Sequence, residues 1–384
     1  MEFEFSTSGK IIFKSGGLSE LHRHLTGEKV MVIFSPSVER NGILRRAAGQ
    51  VERSGAAFFA YCWASGEPEV EDVEAGRRFA LENGCDAVLA IGGGSVIDAA
   101  KAVAAMITNE GDVIDYIEGM GRELPVSRPP VPLVAIPTTA GTGSEATKNS
   151  VIISRVHCVK KSIRSDMLLP KLALVDPELE LSLPPQQTAA SGMDALCQLI
   201  ESYTTKNRNP VTDALALCGI EHAGRCLETA VKDGGNLKAR EGMAFAALLS
   251  GICLANSGLA LVHGMAPALG AVKGIGHGLA CGILLDHSMR VNMPAVRERY
   301  ARIGEALAGR RYKNISEAAE TAVDFVSRLK DAIGVPADFK GFNITKDELE
   351  LLVKGSMASG TRGNPLPMTE ESMRELYLKL IQEN

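Results

Sequence analysis

"AVLAIGGGSVIDAAKAVA", residues 87–104, is the stretch on which the fold turns. A six-residue run, apolar up to its closing glycine, enters Gly92-Gly93-Gly94-Ser95 and passes straight into a helical pattern. Glycines let a backbone turn tightly and approach a ligand, and the N–H groups that open a helix can receive a phosphate. The spacing is not G-x-G-x-x-G, because Ile97 holds the third glycine's place. Taken alone, the turn reads equally as a tight connection or as a phosphate cradle.

Working outward, the same alternation recurs. Apolar, β-rich runs at 30–34 (VMVIF), 57–62 (AFFAYC), 132–137 (PLVAIP) and 172–176 (LALVD) join the one at 87–92. Charged amphipathic segments such as 69–84, and the helical pattern 96–107, lie between them. Apolar strands alternating with helices predict a parallel sheet covered by helices on both faces. The short runs "EFEF" and "KIIF" near the start predict a hairpin at the sheet's edge, and 150–163 predicts another. Beyond the connector "DPELELSLPPQQT" helical patterns dominate, at 191–204, 210–231, 237–262, 294–309, 314–333, 345–357 and 369–382. The expected division is an α/β domain over 1–182 and an all-helical domain over 183–384.

Composition narrows the function. With 384 residues, 45% apolar and 23% charged, the chain can bury a large core in two domains. A net charge of −5 without a basic run argues against nucleic acid, and 5% aromatics with one tryptophan leaves no stacking platform. The eight cysteines, Cys158 among them, form no CxxC, which suits a reducing compartment. The N-terminus has neither the basic nor the apolar region of an export signal, so a cytoplasmic location is expected. Residues 242–272 carry no formal charge and are long enough to span a bilayer. Polar residues including His263, several glycines and Pro267 interrupt them, without aromatic belts, which favours a helix buried on all sides over a membrane span.

Three further motifs carry candidate chemistry. "AIPTTAGTGSEAT" (135–147) offers the hydroxyls of Thr138, Thr139, Thr142, Ser144 and Thr147 around two glycines. A polar capping loop is its plain reading. Two such loops at the carboxyl ends of strands favour a dinucleotide site. "SGMDALCQLIESYTT" (191–205) stacks Asp194 and Gln198 on one helical face. Ser191 and Asp194 fit a capping box, while Asp194 and Gln198 fit a ligand pair. "LVHGMAPALGAVKGIGHG" (261–278) holds His263 and His277 in an uncharged segment. Each alone reads as a core histidine; with Asp194 they supply three ligands, the number that leaves a catalytic ion an open position.

In this order, "GGGSVIDAAK", "PTTAGTGSE", "KKSI…LLPKLALVDPEL", "GMDAL", "NPVTDALAL" and "HGMAPALGA…HGLA" resemble the iron-containing (group III) alcohol dehydrogenase family, which includes glycerol dehydrogenases. The similarity runs over nearly the whole chain. It implies an N-terminal dinucleotide-binding α/β domain, an all-α C-terminal domain, and an active site in the cleft between. It implies hydride transfer between NAD or NADP and a small alcohol or aldehyde, assisted by Fe2+ or Zn2+, in a homo-oligomer. Carried over by position, Gly94 and Ser95, beside Gly93, match the pyrophosphate turn, with Asp98 nearby. Thr138, Thr139 and Thr147 match cofactor-lining positions, as do Lys160 and Leu179, and Thr142 and Ser144 share their loop. Asp194, His263 and His277 match metal ligands, the two histidines serving catalysis through the ion.

Four positions depart from the family. Gln198 stands where many relatives carry a ligating histidine, and a neutral amide oxygen is a poor ligand beside imidazole. Pro267 replaces a second histidine, and Lys273 an aromatic residue. Ser35 stands where NAD-preferring relatives place an aspartate. Without that acid, Ser35, Ser37 and Arg40 could accept a 2′-phosphate, which tilts the expectation to NADP(H). Three other functions stay open. One is a metal-independent reductase in which Lys273 polarises a carbonyl or grips a carboxylate or phosphonate. Another is a lyase like dehydroquinate synthase, disfavoured by the few arginines near these motifs. The third is a nucleotide-binding protein without turnover.

Overall fold

The computed structural model describes residues 2–64, 66–157, 159–359 and 361–381; Cys158 and Gln382 lie outside them. The chain falls into two compact units, one spanning Phe5–Ser182 and the other combining Met1–Glu4 with Leu183–Asn384.

The first unit is built from strands β1 (Ile11–Phe13), β2 (Lys29–Phe34), β3 (Ala57–Cys62), β4 (Ala87–Gly92), β5 (Leu133–Pro137), β6 (Asn149–Ser154), β7 (Val159–Arg164) and β8 (Leu172–Val175). Its helices are α1 (Pro36–Arg40), α2 (Ile43–Arg53), α3 (Val70–Asn83) and α4 (Gly94–Thr108). Six strands form one sheet in the order β1-β8-β5-β4-β2-β3, every pair parallel. Side chains alternate across a strand, so an apolar run feeds both faces. Met31, Ile33, Val88 and Ala90 pack into the core that includes α4's Ile97, Ala100 and Val103. Val30, Val32, Leu89 and Ile91 pack into the opposite core with α2's Ala47 and Val51.

The expected N-terminal hairpin is not present. "EFEF" forms no strand, Phe3 and Phe5 are exposed, and "KIIF" gives its hydrogen bonds to β8 in parallel. A hairpin needs the returning run to pair with its own predecessor, and β8 has taken that ladder. The hairpin expected over 150–163 does form, as antiparallel β6 and β7.

The second unit is helical: α5 (Pro185–Thr204), α6 (Pro210–Lys232), α7 (Leu237–Ser257), α8 (Leu261–Lys273), α9 (His277–Ala308), α10 (Ile315–Ala332), α11 (Lys346–Ser359) and α12 (Glu370–Ile381). α5 starts at Pro185, six residues before the expected 191, because proline at N1 gives up an N–H that would be unpaired anyway. Ser191 therefore lies inside the helix with its hydroxyl on the Gln187 carbonyl, and the capping-box reading of Asp194 falls. The helix expected over 237–262 breaks at Gly258, whose φ of +67° suits glycine, and α8 leaves α7 at 103°. No single helix among the described residues is long and apolar enough to cross a membrane, though α7 and α8 together pass on length and composition. Most of α7 is buried, and it packs on α5 and α6. Between α9 and α10 the Lys330 ammonium lies 2.5 Å from Asp286 Oδ1 and donates to the Ile283 carbonyl, both charged side chains nearly inaccessible.

Candidate active site

In the first unit, the chain leaves β2 for β3 on one side, while β4 continues to β5 on the other. Adjacent strands whose connections diverge open a crevice at their carboxyl ends, the usual ligand position in such sheets. Ser35–Ser37 and Gly92–Ser95 both lie at that edge. Gly93 is the N-cap of α4 without a side-chain cap, and no acid occupies the first turn. Val96 and Ile97 turn their N–H groups back onto the Gly93 carbonyl, which leaves the Gly94 and Ser95 amides at an electropositive helix start. A Cβ on Gly94 would lie 2.5 Å from Thr142 Oγ1, and one on Gly93 would lie 3.3 Å from Thr139 Oγ1. The two glycine-bearing loops are therefore packed against each other, with Gly143 supplying the left-handed turn at φ +61°.

Gly94→Val forces those loops apart. Overpacking of this kind costs about 1–3 kcal/mol, and about 1.4 kcal/mol taken from binding weakens it tenfold. We expect the NADH dissociation constant to rise roughly tenfold by fluorescence titration, with metal content unchanged.

Several of the residues expected to contact the cofactor also have partners within the protein. Buried Asp98 accepts from Ser144 Oγ and from the Val151 amide at 3.0 Å, with Lys101 Nζ 3.7 Å away. Burial raises its pKa, and Lys101 and Ser144 only partly oppose this. Ser144 and Thr147 also receive Lys101 Nζ, at 3.1 and 2.8 Å. Lys160 pairs with Glu67, and Leu179 sits in the α2-side core. Asp98, Ser144 and Thr147 thus hold the loop's shape, Lys160 has a carboxylate for a partner, and Leu179 fills the interior. The buried hinge of that network, Lys101, went unnoticed in the sequence.

In the second unit, α5 carries Asp194, Gln198 and Glu201 on one face, at i, i+4 and i+7. His263 sits in the first turn of α8, and His277 opens α9. His263 Nε2 lies 3.2 Å and His277 Nε2 3.7 Å from Asp194 Oδ1. Cys281, one turn along α9, completes a group whose ligand atoms all lie within 4.8 Å of one another. On its other side, His263 Nδ1 meets Glu201 Oε2 at 2.8 Å. The same carboxylate accepts the backbone N–H of Ala260 at 3.1 Å and of Val262 at 2.6 Å. Glu201 thus caps α8 and fixes the imidazole in one motion.

The electrostatics favour a cation. Burial opposes charge on His263, but Cys281, Asp194 and Glu201 outweigh it and hold its pKa well above the usual imidazole range. His277 is raised in the same way by Cys281 and Asp194 against burial. Burial also resists a Cys281 thiolate, yet Cys197 and the two imidazoles draw the thiol well down.

Residues 8–177 match the family described as iron-containing alcohol dehydrogenase, and residues 188–381 match its C-terminal domain. The chain belongs to the iron-containing alcohol dehydrogenase family. It is 33% identical to the NAD-dependent methanol dehydrogenase of Bacillus methanolicus, over 92% of each chain. A crystal structure of 1,3-propanediol oxidoreductase superposes with a TM-score of 0.94 at 30% identity, covering 99% of this chain and 100% of that one. The sulfoacetaldehyde reductase of Bifidobacterium kashiwanohense, solved with NAD+, gives 0.89 at 29% identity over the whole of both chains.

Two residues at which this member departs from the family pattern, Gln198 and Lys273, have partners of their own. Gln198 does not offer its amide oxygen to the cluster. Its Oε1 faces Ser250 Oγ at 2.8 Å, and its Nε2 faces Asp194 Oδ1 at 3.3 Å. The reverse orientation would set two oxygens against each other. In this orientation Gln198 is a hydrogen-bond partner of Asp194, with its amide oxygen on Ser250. Lys273 directs its ammonium to both Glu348 oxygens at 3.1 and 3.2 Å and to the Asn343 carbonyl at 3.3 Å, which uses all three donors.

The remaining donors fit a divalent ion: a carboxylate, two imidazoles by Nε2, and a carboxylate behind one ring, the support that ligating histidines ordinarily have. Sequence reading missed Glu201 and Cys281. The signal for each was present, as i+7 from Asp194 and as H-x-x-x-C from His277.

Proposed function

We propose that this chain is an NAD-dependent alcohol dehydrogenase, interconverting a small alcohol and its aldehyde with a divalent ion held by Asp194, His263 and His277. One observation carries the reading: an acid and two imidazoles from three separate helices meet within 4.8 Å. When bound, the ion supplies Lewis-acid polarisation of the substrate oxygen, and NAD supplies the hydride acceptor. Asp194, steadied by Gln198, gives the anionic donor. Glu201 keeps a proton on His263 Nδ1, so that the Nε2 lone pair faces the cluster. The Gly94 and Ser95 amides receive the pyrophosphate.

NAD is favoured because one relative is named NAD-dependent and one neighbour was solved with NAD+. The tilt to NADP(H) drawn from Ser35 finds no support there, and the Ser35 hydroxyl pairs with that of Ser37 at 2.9 Å. The metal-free reading loses its anchor with Lys273 committed to Glu348. A small-molecule partner, a homo-oligomer and a cytoplasmic setting complete the proposal, the last in keeping with the seven free thiols among the described residues.

The test is a panel of short-chain alcohols and aldehydes with NAD(H) and NADP(H), after chelator dialysis, with and without zinc or ferrous ion. We expect turnover with NAD(H), lost on dialysis and restored by an ion. Turnover indifferent to the chelator removes the metal's role, and no nucleotide oxidation or reduction on any substrate removes the dehydrogenase.

A further inference from the structure

We infer that Cys281 is itself a ligand of the ion, a sulfur donor alongside Asp194, His263 and His277. The inference rests on the metal reading proposed above. Cys281 lies four residues after His277 on α9, so both side chains share a face. Its Sγ is 3.7 Å from His277 Nε2 and 3.8 Å from His263 Nε2, and the residue is fully buried.

The spacing is what a tetrahedral ion needs. Bonds of about 2.0–2.1 Å to nitrogen or oxygen and about 2.3 Å to sulfur place neighbouring N and O atoms about 3.3 Å apart and S and N about 3.6 Å apart. The four edges on the page, 3.2, 3.7, 3.7 and 3.8 Å, lie within about 0.4 Å of those values. The other nearby thiol does not compete. Cys197 Sγ is 3.9 Å from His263 Nδ1, the ring nitrogen that Glu201 already holds. With four protein donors, a substrate oxygen would join as a fifth ligand, from the side of His277, whose side chain is 29% exposed. Ligation needs a thiolate and two imidazoles with free Nε2 lone pairs, so whatever protons this group carries leave to solvent as the ion binds. One thiolate, two imidazoles and one carboxylate make a donor set suited to a thiophilic ion such as zinc.

Cobalt(II) is the probe, loaded anaerobically into chelator-treated full-length protein and into its Cys281→Ser and Cys197→Ser variants. We expect the parent and Cys197→Ser to show an intense near-ultraviolet sulfur-to-cobalt charge-transfer band. Cys281→Ser binds cobalt at least ~10-fold more weakly and lacks the band. If Cys281→Ser fails to fold, X-ray absorption of the zinc-loaded parent decides by a sulfur scatterer at about 2.3 Å. Cobalt bound by the parent without the band overturns the Cys281 assignment and leaves the three-ligand site standing. A band lost only in Cys197→Ser overturns it as well. No cobalt or zinc bound at all brings down both this inference and the metal-assisted function.

Discussion

Glu201→Ala is expected to weaken zinc binding by about 10–100-fold, the usual effect of removing the carboxylate behind a ligating histidine. It should also destabilise the fold. The Ala260 and Val262 amides, both in buried residues, lose their acceptor, and each buried N–H left unpaired costs about 1–3 kcal/mol. Glu201→Gln should lie between the parent and the alanine variant, because its single amide oxygen can still accept from one α8 amide, while its NH2 cannot replace the second acceptor and no negative charge reaches His263. Chelator competition reads the first quantity and urea unfolding the second. An alanine variant that unfolds at the parental urea midpoint would show that α8 does not depend on this carboxylate.

Lys330→Met should cost about 3–5 kcal/mol, the penalty for stranding one member of a buried ion pair. That is a large part of the roughly 5–15 kcal/mol that keeps a domain folded. Asp286 would keep the Ser327 hydroxyl at 2.9 Å but lose the ammonium that faces it. Replacing both partners, Lys330→Met with Asp286→Leu, should recover most of the loss, because no charge is then left without its counterpart. Equilibrium unfolding in denaturant measures both variants. A single substitution costing less than about 1 kcal/mol, the range of exposed pairs, would mean that water reaches this site.

The strands were legible because continuous apolar runs bounded by glycine, proline or charge have few other outcomes; 57–62 and 87–92 match residue for residue. α8 and the first half of α9 were not legible, since Gly264, Gly270, Gly278 and Gly282 disfavour helix on propensity. The structure explains two of them. A Cβ on Gly278 would lie 2.4 Å from the Ala190 carbonyl oxygen, and one on Gly282 would lie 3.2 Å from Met193 Cβ. These glycines let α9 press against α5, and tertiary packing overrides local preference.

The site divides in the same way. Asp194, His263 and His277 stand out as polar residues in apolar surroundings, so their type was visible. Their meeting was not, because 69 residues separate Asp194 from His263 and only the packed helices close that gap. Glu201 sat in a run that reads as an ordinary helix flank, and Cys281 as one more small hydrophobe.

The cluster draws on α5, α8 and α9, and although a short turn joins α8 to α9, the whole of α6 and α7 separates them from α5 along the chain. An ion seated there would act as a rivet through three rods. The bundle could not splay without releasing it, and its escape would loosen all three at once. Resistance to heat should then climb with the logarithm of free ion concentration above the dissociation constant. A melting curve would become an assay of occupancy that needs no substrate.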